Sequence, residues 1–276
     1  NLKTYGIENW GQGYFDVSDE GNLTVCPDNH RSVEILKIIE DLQRRGTNCP
    51  IVLRFPQILA AQVRKLNECF RNSIAEFGYT KNYRGVYPIK VNQRKEVVEE
   101  ILKAGHRYNF GLEVGSKPEL MGALSLEQPP ESLLILNGIK DESYIAYAYL
   151  AAEMGRNVVV VCESLHELYH LTRHRKKEGP MPAVGFRVRL NSRGSGKWQE
   201  SGGATAKFGL SAAELLEAIA ILTRDKMIGD FKLLHFHIGS QITEIKRLKT
   251  AIKEAARVYA KVCRMGVSVE YLNVGG

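Results

Sequence analysis

Long apolar runs are missing from this sequence. The longest β-like run, residues 158–162, falls far short of the roughly 20 residues a membrane-spanning helix needs. Neither a helical span nor a signal peptide is expected. Cysteine is scarce and unpatterned: Cys26, Cys49, Cys69, Cys162 and Cys263 form no CxxC pair, and an odd number cannot all pair with one another. That excludes a disulfide-stapled scaffold and leads to the expectation of a reducing, cytoplasmic setting. Charge of one sign is also lacking. The 38 basic residues are spread among 31 acidic ones, for a net +7, with clusters only at 173–177 and 246–249. Without an aromatic-interleaved basic stripe, no nucleic-acid partner is expected, and the mild excess of positive charge suits anionic small molecules.

What is present is ordinary globular composition, 44% hydrophobic and 25% charged, which excludes disorder and collagen-like structure. With 276 residues the chain should bury roughly 70–75% of its unfolded surface. It starts at Asn1 rather than Met and stops at Gly275-Gly276 directly after an apolar run, so a fragment of a longer protein is expected.

From Phe55 onward, short β-branched runs alternate with stretches of 3.6-residue periodicity, the pattern of βα units around a parallel sheet. Strands are expected at residues 51–55, 85–89, 110–114, 133–137, 158–162, 184–190, 233–238 and 269–274. Helices are expected at 56–77, 94–104, 117–125, 143–154, 165–177, 212–225 and 245–263. Several of these strands are apolar on both faces, as when helices cover a sheet. Residues 1–50 differ, with clustered glycines and aromatics and one amphipathic helix at 32–45; they read as a β-rich segment ending in a turn-rich boundary. The remaining 51–276 read as a (β/α)8 TIM-type barrel, which the repeated βα order favours over the alternative of a doubly wound sheet.

A barrel places its chemistry at the C-terminal ends of its strands. Those ends carry Lys90, Glu113, Asn137, Glu163, Arg189, His235, His237 and Gly275-Gly276. Taken singly, each has a plain reading as a solvated loop residue. Lys90 is the sharpest: it follows the apolar Tyr87-Pro88-Ile89, and partial desolvation there would favour the free amine, a nucleophile toward aldehydes. The alternative is a strand-end lysine paired with Glu113. His235 and His237 share one side of their strand. With Gly239 and Ser240 they offer a flat ring, backbone N–H groups and a hydroxyl, a set suited to an aromatic phosphorylated ligand. Zinc would need a third ligand that the local sequence lacks. The glycine-rich loop at 192–203 fails as a P-loop, since Trp198 follows Lys197; it reads as a mobile substrate-side loop. His166-Glu167-Leu168-Tyr169-His170 matches HExxH, with His174 one turn further on. In a barrel this helix lies outside, remote from the strand ends.

The strings Tyr87–Gln93 (YPIKVNQ), 111–117 (GLEVGSK), 195–199 (SGKWQ), 207–210 (KFGL), 235–241 (HFHIGSQ) and 273–276 (NVGG) together resemble the biosynthetic arginine decarboxylase family. Its members are pyridoxal 5'-phosphate (PLP) enzymes of the alanine-racemase-like barrel class, related to ornithine and diaminopimelate decarboxylases. The resemblance runs from about Tyr5 to the last residue. It implies that Lys90 carries the cofactor, that His237 stacks on its ring, and that Ser240, Gly275 and Gly276 hold its phosphate. It also implies that Glu113 and Arg189 line the same pocket and that Asn273, Val274, Gly275 and Gly276 touch substrate. The reaction implied is decarboxylation of L-arginine to agmatine and CO2, feeding polyamine biosynthesis, in a homodimer whose sites are completed across the two-fold axis. Magnesium is associated with the class, although no carboxylate cluster here suits it.

The resemblance makes the strand ending at Lys90 the first of the barrel, so residues 51–55 leave the barrel and seven strands remain. It places the eighth strand, with a cofactor-binding glutamate and arginine, and most of a C-terminal β-domain outside these residues, so residues 1–276 alone are expected to be inactive. Three other readings stand beside it: another basic amino-acid decarboxylase or racemase of the same fold, a non-catalytic PLP-binding homeostasis protein, and an HExxH metalloprotease. Residues 1–50 and the loop at 194–203 argue against the homeostasis protein.

Overall fold

The computed structural model describes residues 2–27, 31–176, 178–190, 208–240 and 242–275. They divide into two compact units, Asn1–Tyr83 with Arg94–Tyr108, and Arg84–Gln93 with Asn109–Gly276.

In the first unit a short helix, α1 (Ile7–Trp10), precedes an antiparallel sheet β1-β2-β3, formed by β1 (Phe15–Val17), β2 (Leu23–Val25) and β3 (Val33–Glu34). Two helices follow, α2 (Ile35–Arg44) and α3 (Pro56–Glu76), and α3 packs against α4 (Lys95–Gly105). The strand expected at 51–55 does not form; these residues are coil. Their β-branched run finds no neighbouring strand, and Val52 is 74% exposed. Pro56 occupies the first helical turn, where its fixed φ suits a helix start and keeps the preceding residue extended.

The second unit is a βα repeat built around β4 (Val86–Pro88), β5 (Gly111–Val114), β6 (Leu133–Leu136), β7 (Asn157–Cys162), β8 (Ala183–Arg187), β9 (Phe231–His235) and β10 (Tyr271–Asn273). Helices α5 (Lys117–Leu124), α6 (Glu142–Glu153), α7 (Leu165–Arg173), α8 (Ala212–Arg224) and α9 (Ile245–Arg264) alternate with the strands from β5 onward. All neighbouring strand pairs are parallel, and the sheet runs in strict chain order from β4 to β10. A doubly wound sheet would reverse direction at a switch point; this order is that of an incomplete TIM-type barrel.

Local chemistry marks where four of the helices in this unit begin. The side chains of Ser116, Asp141, Ser164 and Ser211 accept the N–H groups of Glu119, Tyr144, Glu167 and Glu214, capping α5 to α8. Such caps satisfy donors that the helix itself leaves unpaired. The loops leading into α5, α6 and α7 are therefore short and anchored at their far ends, which holds the residues at the ends of β5, β6 and β7 in place.

On one face of the sheet Leu133, Ile135, Val159, Val161 and Leu233 form a buried cluster, with Val86, Ala183 and Tyr271 packed against it. Above this layer the loops after β6 and β7 are tied by a buried ion pair. Lys140 Nζ lies 3.2 Å from Glu167 Oε2, with side chains 0% and 5% exposed. The Glu167 carboxylate also accepts the N–H groups of Lys140 (3.1 Å) and Glu163 (2.8 Å), and Lys140 Nζ donates to the Gly138 carbonyl. Gly138 has φ +74°, and a Cβ there would stand 2.3 Å from the Gly115 carbonyl oxygen. Only glycine fits this crossing.

Candidate active site

Side chains alternate between the two faces of a strand, and paired residues in register share a face. The apolar cluster therefore identifies which strand-end residues look the same way. Glu113 pairs with Ile135, so it faces with the cluster. Leu233 pairs with Gly185 and Tyr271, and two residues further along each of those strands come Arg187, His235 and Asn273, which again pair in register. A polar rung thus lies directly above the apolar layer, from β8 across β9 to β10.

Arg187 is the arginine of this rung. Its guanidinium pairs with Glu163 at 3.1 Å, with side chains 14% and 9% exposed, and lies 5.6 Å above the Phe208 ring. Its charge is felt by both His235 and His237. Arg189, expected in the pocket, is bonded to Glu214 at 2.8 Å. The strand ends at Arg187 rather than at residue 190. Beyond it Val188 forms a parallel bridge with Leu210, and the Arg189 and Leu210 backbones are joined, which carries Arg189 to the start of α8. Glu163 is one of the strand-end residues read from the sequence; Arg187 is not, and strand parity points to it, since it lies two residues after Gly185 on β8.

His237 is half-buried, and burial, reinforced by the Arg187 and Lys90 charges, pushes its pKa down to about 4. His235 is 4% exposed, and burial pushes it to about 3. Both rings are neutral at physiological pH. Lys90 sits in a single 3₁₀ turn, Ile89–Val91, immediately past β4; it is exposed and close enough for its charge to act on His237. Asn137, at the end of β6, has a buried side-chain oxygen with no protein partner, as has His235 at Nδ1. Lys90, Glu163, Arg187 and His237 thus converge, with Glu113 and Asn137 on neighbouring strand ends.

The glycine loop after β10 is held tightly. Gly275 N–H donates to Asn273 Oδ1 (2.9 Å). Gly275 has φ +71°, and a Cβ there would stand 2.7 Å from His237 Nδ1 and 2.9 Å from the Phe236 carbonyl oxygen. Gly239 also has positive φ, 112°. Ser240 is half-buried beside it, and Val274 is 38% exposed. Gly276, Gln241, Lys207 and the loop at 191–206 lie outside the described residues.

The HExxH match has a different explanation. His166 and His170 do face each other on α7, Nε2 to Nε2 at 3.0 Å, but Glu167 points the opposite way into its buried pairing with Lys140. Among the described residues, no three His, Cys, Asp or Glu side chains gather as a metal site would require.

An incomplete TIM-type barrel with a lysine past its first strand, a neutral histidine, a buried Arg–Glu pair and a glycine cradle at the same sheet end defines the pyridoxal-binding barrel class. The chain matches the family described as pyridoxal-dependent decarboxylase, pyridoxal binding domain, over residues 61–276 and belongs to it. Biosynthetic arginine decarboxylases are similar across nearly the whole chain: that of Gloeobacter violaceus is 44% identical over 100% of this chain and 43% of its own length. That of Deinococcus radiodurans is 45% identical over 99% and 41%. The crystal structure of the biosynthetic arginine decarboxylase from Campylobacter jejuni superposes with a TM-score of 0.88 at 36% identity, over 99% of this chain and 44% of that one. Diaminopimelate decarboxylase from M. jannaschii shares the fold, with a TM-score of 0.73 at 21% identity over 97% of this chain and 57% of its own. The chain therefore spans about two-fifths of the length of the curated relatives it matches.

Proposed function

We propose that the protein to which this chain belongs decarboxylates L-arginine to agmatine and CO2 with PLP as cofactor. The observation that carries the reading is the 44% identity to an arginine decarboxylase across the entire chain, and the site at the strand ends is chemically suited to that reaction. When bound, PLP supplies an electron sink for the pair left at Cα as the carboxylate departs as CO2.

The residues present fit such a group. Lys90 offers the amine that would hold the aldehyde carbon. His237, neutral and half-buried, offers a flat ring without a competing positive charge. The space beside it, closed to any Cβ at Gly275, with Gly239 and Ser240 alongside, forms the cradle for a phosphate, and Arg187, partly enclosed and paired with Glu163, stands at the same sheet end. Glu113 and Asn137 add acceptors at the same sheet end. Once freed, the Lys90 amine is the group placed to return a proton to the substrate carbon. Asn273, Val274 and Gly275 border the cradle on the substrate side. The reading extends to a homodimer and to the cytoplasm; the latter is supported by five unpaired cysteines and by the finding that no helix among the described residues is long and apolar enough to cross a membrane.

Borohydride reduction of the full-length protein, followed by peptide mapping, should place a pyridoxyl group on Lys90. Lys90→Ala should abolish agmatine formation while leaving the far-UV circular dichroism spectrum unchanged. Near-normal turnover in Lys90→Ala, or faster release of CO2 from ornithine or lysine than from arginine, would refute the proposal.

A further inference from the structure

His235 has no part in the chemistry outlined above, yet a polar ring occupies the centre of the rung over an apolar layer. It is flanked in register by Arg187 on one side and Asn273 on the other. A leucine or phenylalanine would fill this position without orphaning a polar atom, whereas His235 leaves Nδ1 buried and unpartnered. Its register neighbour on β10 is the Asn273 side chain, on the same face of the sheet. That side chain accepts the Gly275 N–H at 2.9 Å, and Gly275 lies against His237, with room for no Cβ. Backbone bonds reinforce the same connection: Phe236 N–H donates to the Asn273 carbonyl (3.1 Å), and Val188 N–H donates to the His235 carbonyl (2.8 Å). His235, Asn273, Gly275 and His237 are therefore successive neighbours, joined by strand register, by the Asn273–Gly275 hydrogen bond and by the close approach of Gly275 to His237.

We infer that His235 is a positioning residue for the cofactor's phosphate, acting through Asn273 to hold the Gly275 turn in its binding form. The inference rests on the PLP reading above. It assigns His235 an effect on the phosphate end of the cofactor alone, because the path it controls leads to the glycine turn and not to Lys90.

The test uses the full-length protein, freed of cofactor, and compares its affinity for PLP with that for pyridoxal, which lacks the phosphate. His235→Phe fills the same space without a hydrogen bond; it should weaken PLP binding by about tenfold, the equivalent of one hydrogen bond, and leave pyridoxal binding within twofold. His235→Gln, which can still reach Asn273, should retain most of the PLP affinity. In the presence of Asn273→Ala, adding His235→Phe should cost nothing further, since the route is already cut. Equal loss of PLP and pyridoxal in both His235 variants would mark a merely structural ring and overturn the inference. So would unchanged PLP affinity, or losses that multiply in the double variant. Borohydride labelling of wild-type Lys90, run alongside, separates the two levels: a labelled wild type with indifferent His235 variants sinks this inference alone, and an unlabelled wild type sinks the cofactor reading with it.

Discussion

Replacing Glu167 with glutamine keeps the volume of the side chain and removes its charge, in the most enclosed ion pair among the described residues. Three donors converge on this carboxylate: Lys140 N–H on Oε1, and Lys140 Nζ with Glu163 N–H on Oε2. A glutamine has one acceptor oxygen, so whichever way it turns, its NH2 meets at least one of those donors. The Lys140 ammonium, fully enclosed, loses its counter-charge and is left with neutral acceptors such as the Gly138 carbonyl. Breaking a buried pair from one side costs about 3–5 kcal/mol, a large share of the ~5–15 kcal/mol that holds a domain together. At about 2–4 °C per kcal/mol for a unit of this size, the melting temperature should fall by roughly 6–20 °C. Differential scanning calorimetry of the full-length protein is the assay. The double variant Lys140→Met/Glu167→Gln removes both charges while keeping an acceptor oxygen for one of the backbone N–H groups, and should recover part of the loss, because no buried ammonium is left without its counter-charge. A Glu167→Gln shift below 2 °C would refute the assignment of this glutamate as the tie between the β6 and β7 loops. Loss of a zinc-dependent peptidase activity in the same variant would refute it in favour of the HExxH reading.

Two further predictions concern the polar rung. His235 and His237 are held near 3 and 4 by burial, against about 6.5 in an unfolded chain. Between those values the unfolded state binds more protons, so stability should fall as pH drops from about 6.5 toward 4, by up to ~1.4 kcal/mol per pH unit for each ring, and should not depend on these rings above pH 7. Thermal melts between pH 4.5 and 8 check this, and a melting temperature that rises on acidification from pH 7 to 5 would contradict it. Arginine variants should separate the two candidates: Arg187→Gln strands the buried Glu163 carboxylate and should weaken PLP binding at least tenfold in a fluorescence titration. Arg189→Gln breaks a partly exposed pair worth about 0–1 kcal/mol and should lower the melting temperature by no more than a few degrees.

Much of the architecture was readable along the chain. Helical periodicity and β-branched runs located the seven barrel strands and their helices to within a few residues, because burial on a βα sheet imposes those periods locally. Lys90 and His237 could be named because each lies directly against a strand that periodicity had already located. Residues 51–55 show the limit: an apolar β-branched run becomes a strand only when another strand lies beside it, and here none does.

The sequence by itself determined the order of the elements, the capped helix starts and the chemical types gathered at the strand ends, since these depend on neighbours within a few residues. Only the tertiary structure decided that Arg187 lies close enough to act on His237, that the HExxH glutamate is spent on Lys140, and that His235 sits beside Asn273 in register. Each of those depends on where a strand stops and on register between strands separated by tens of residues, and long-range packing and hydrogen bonding set both.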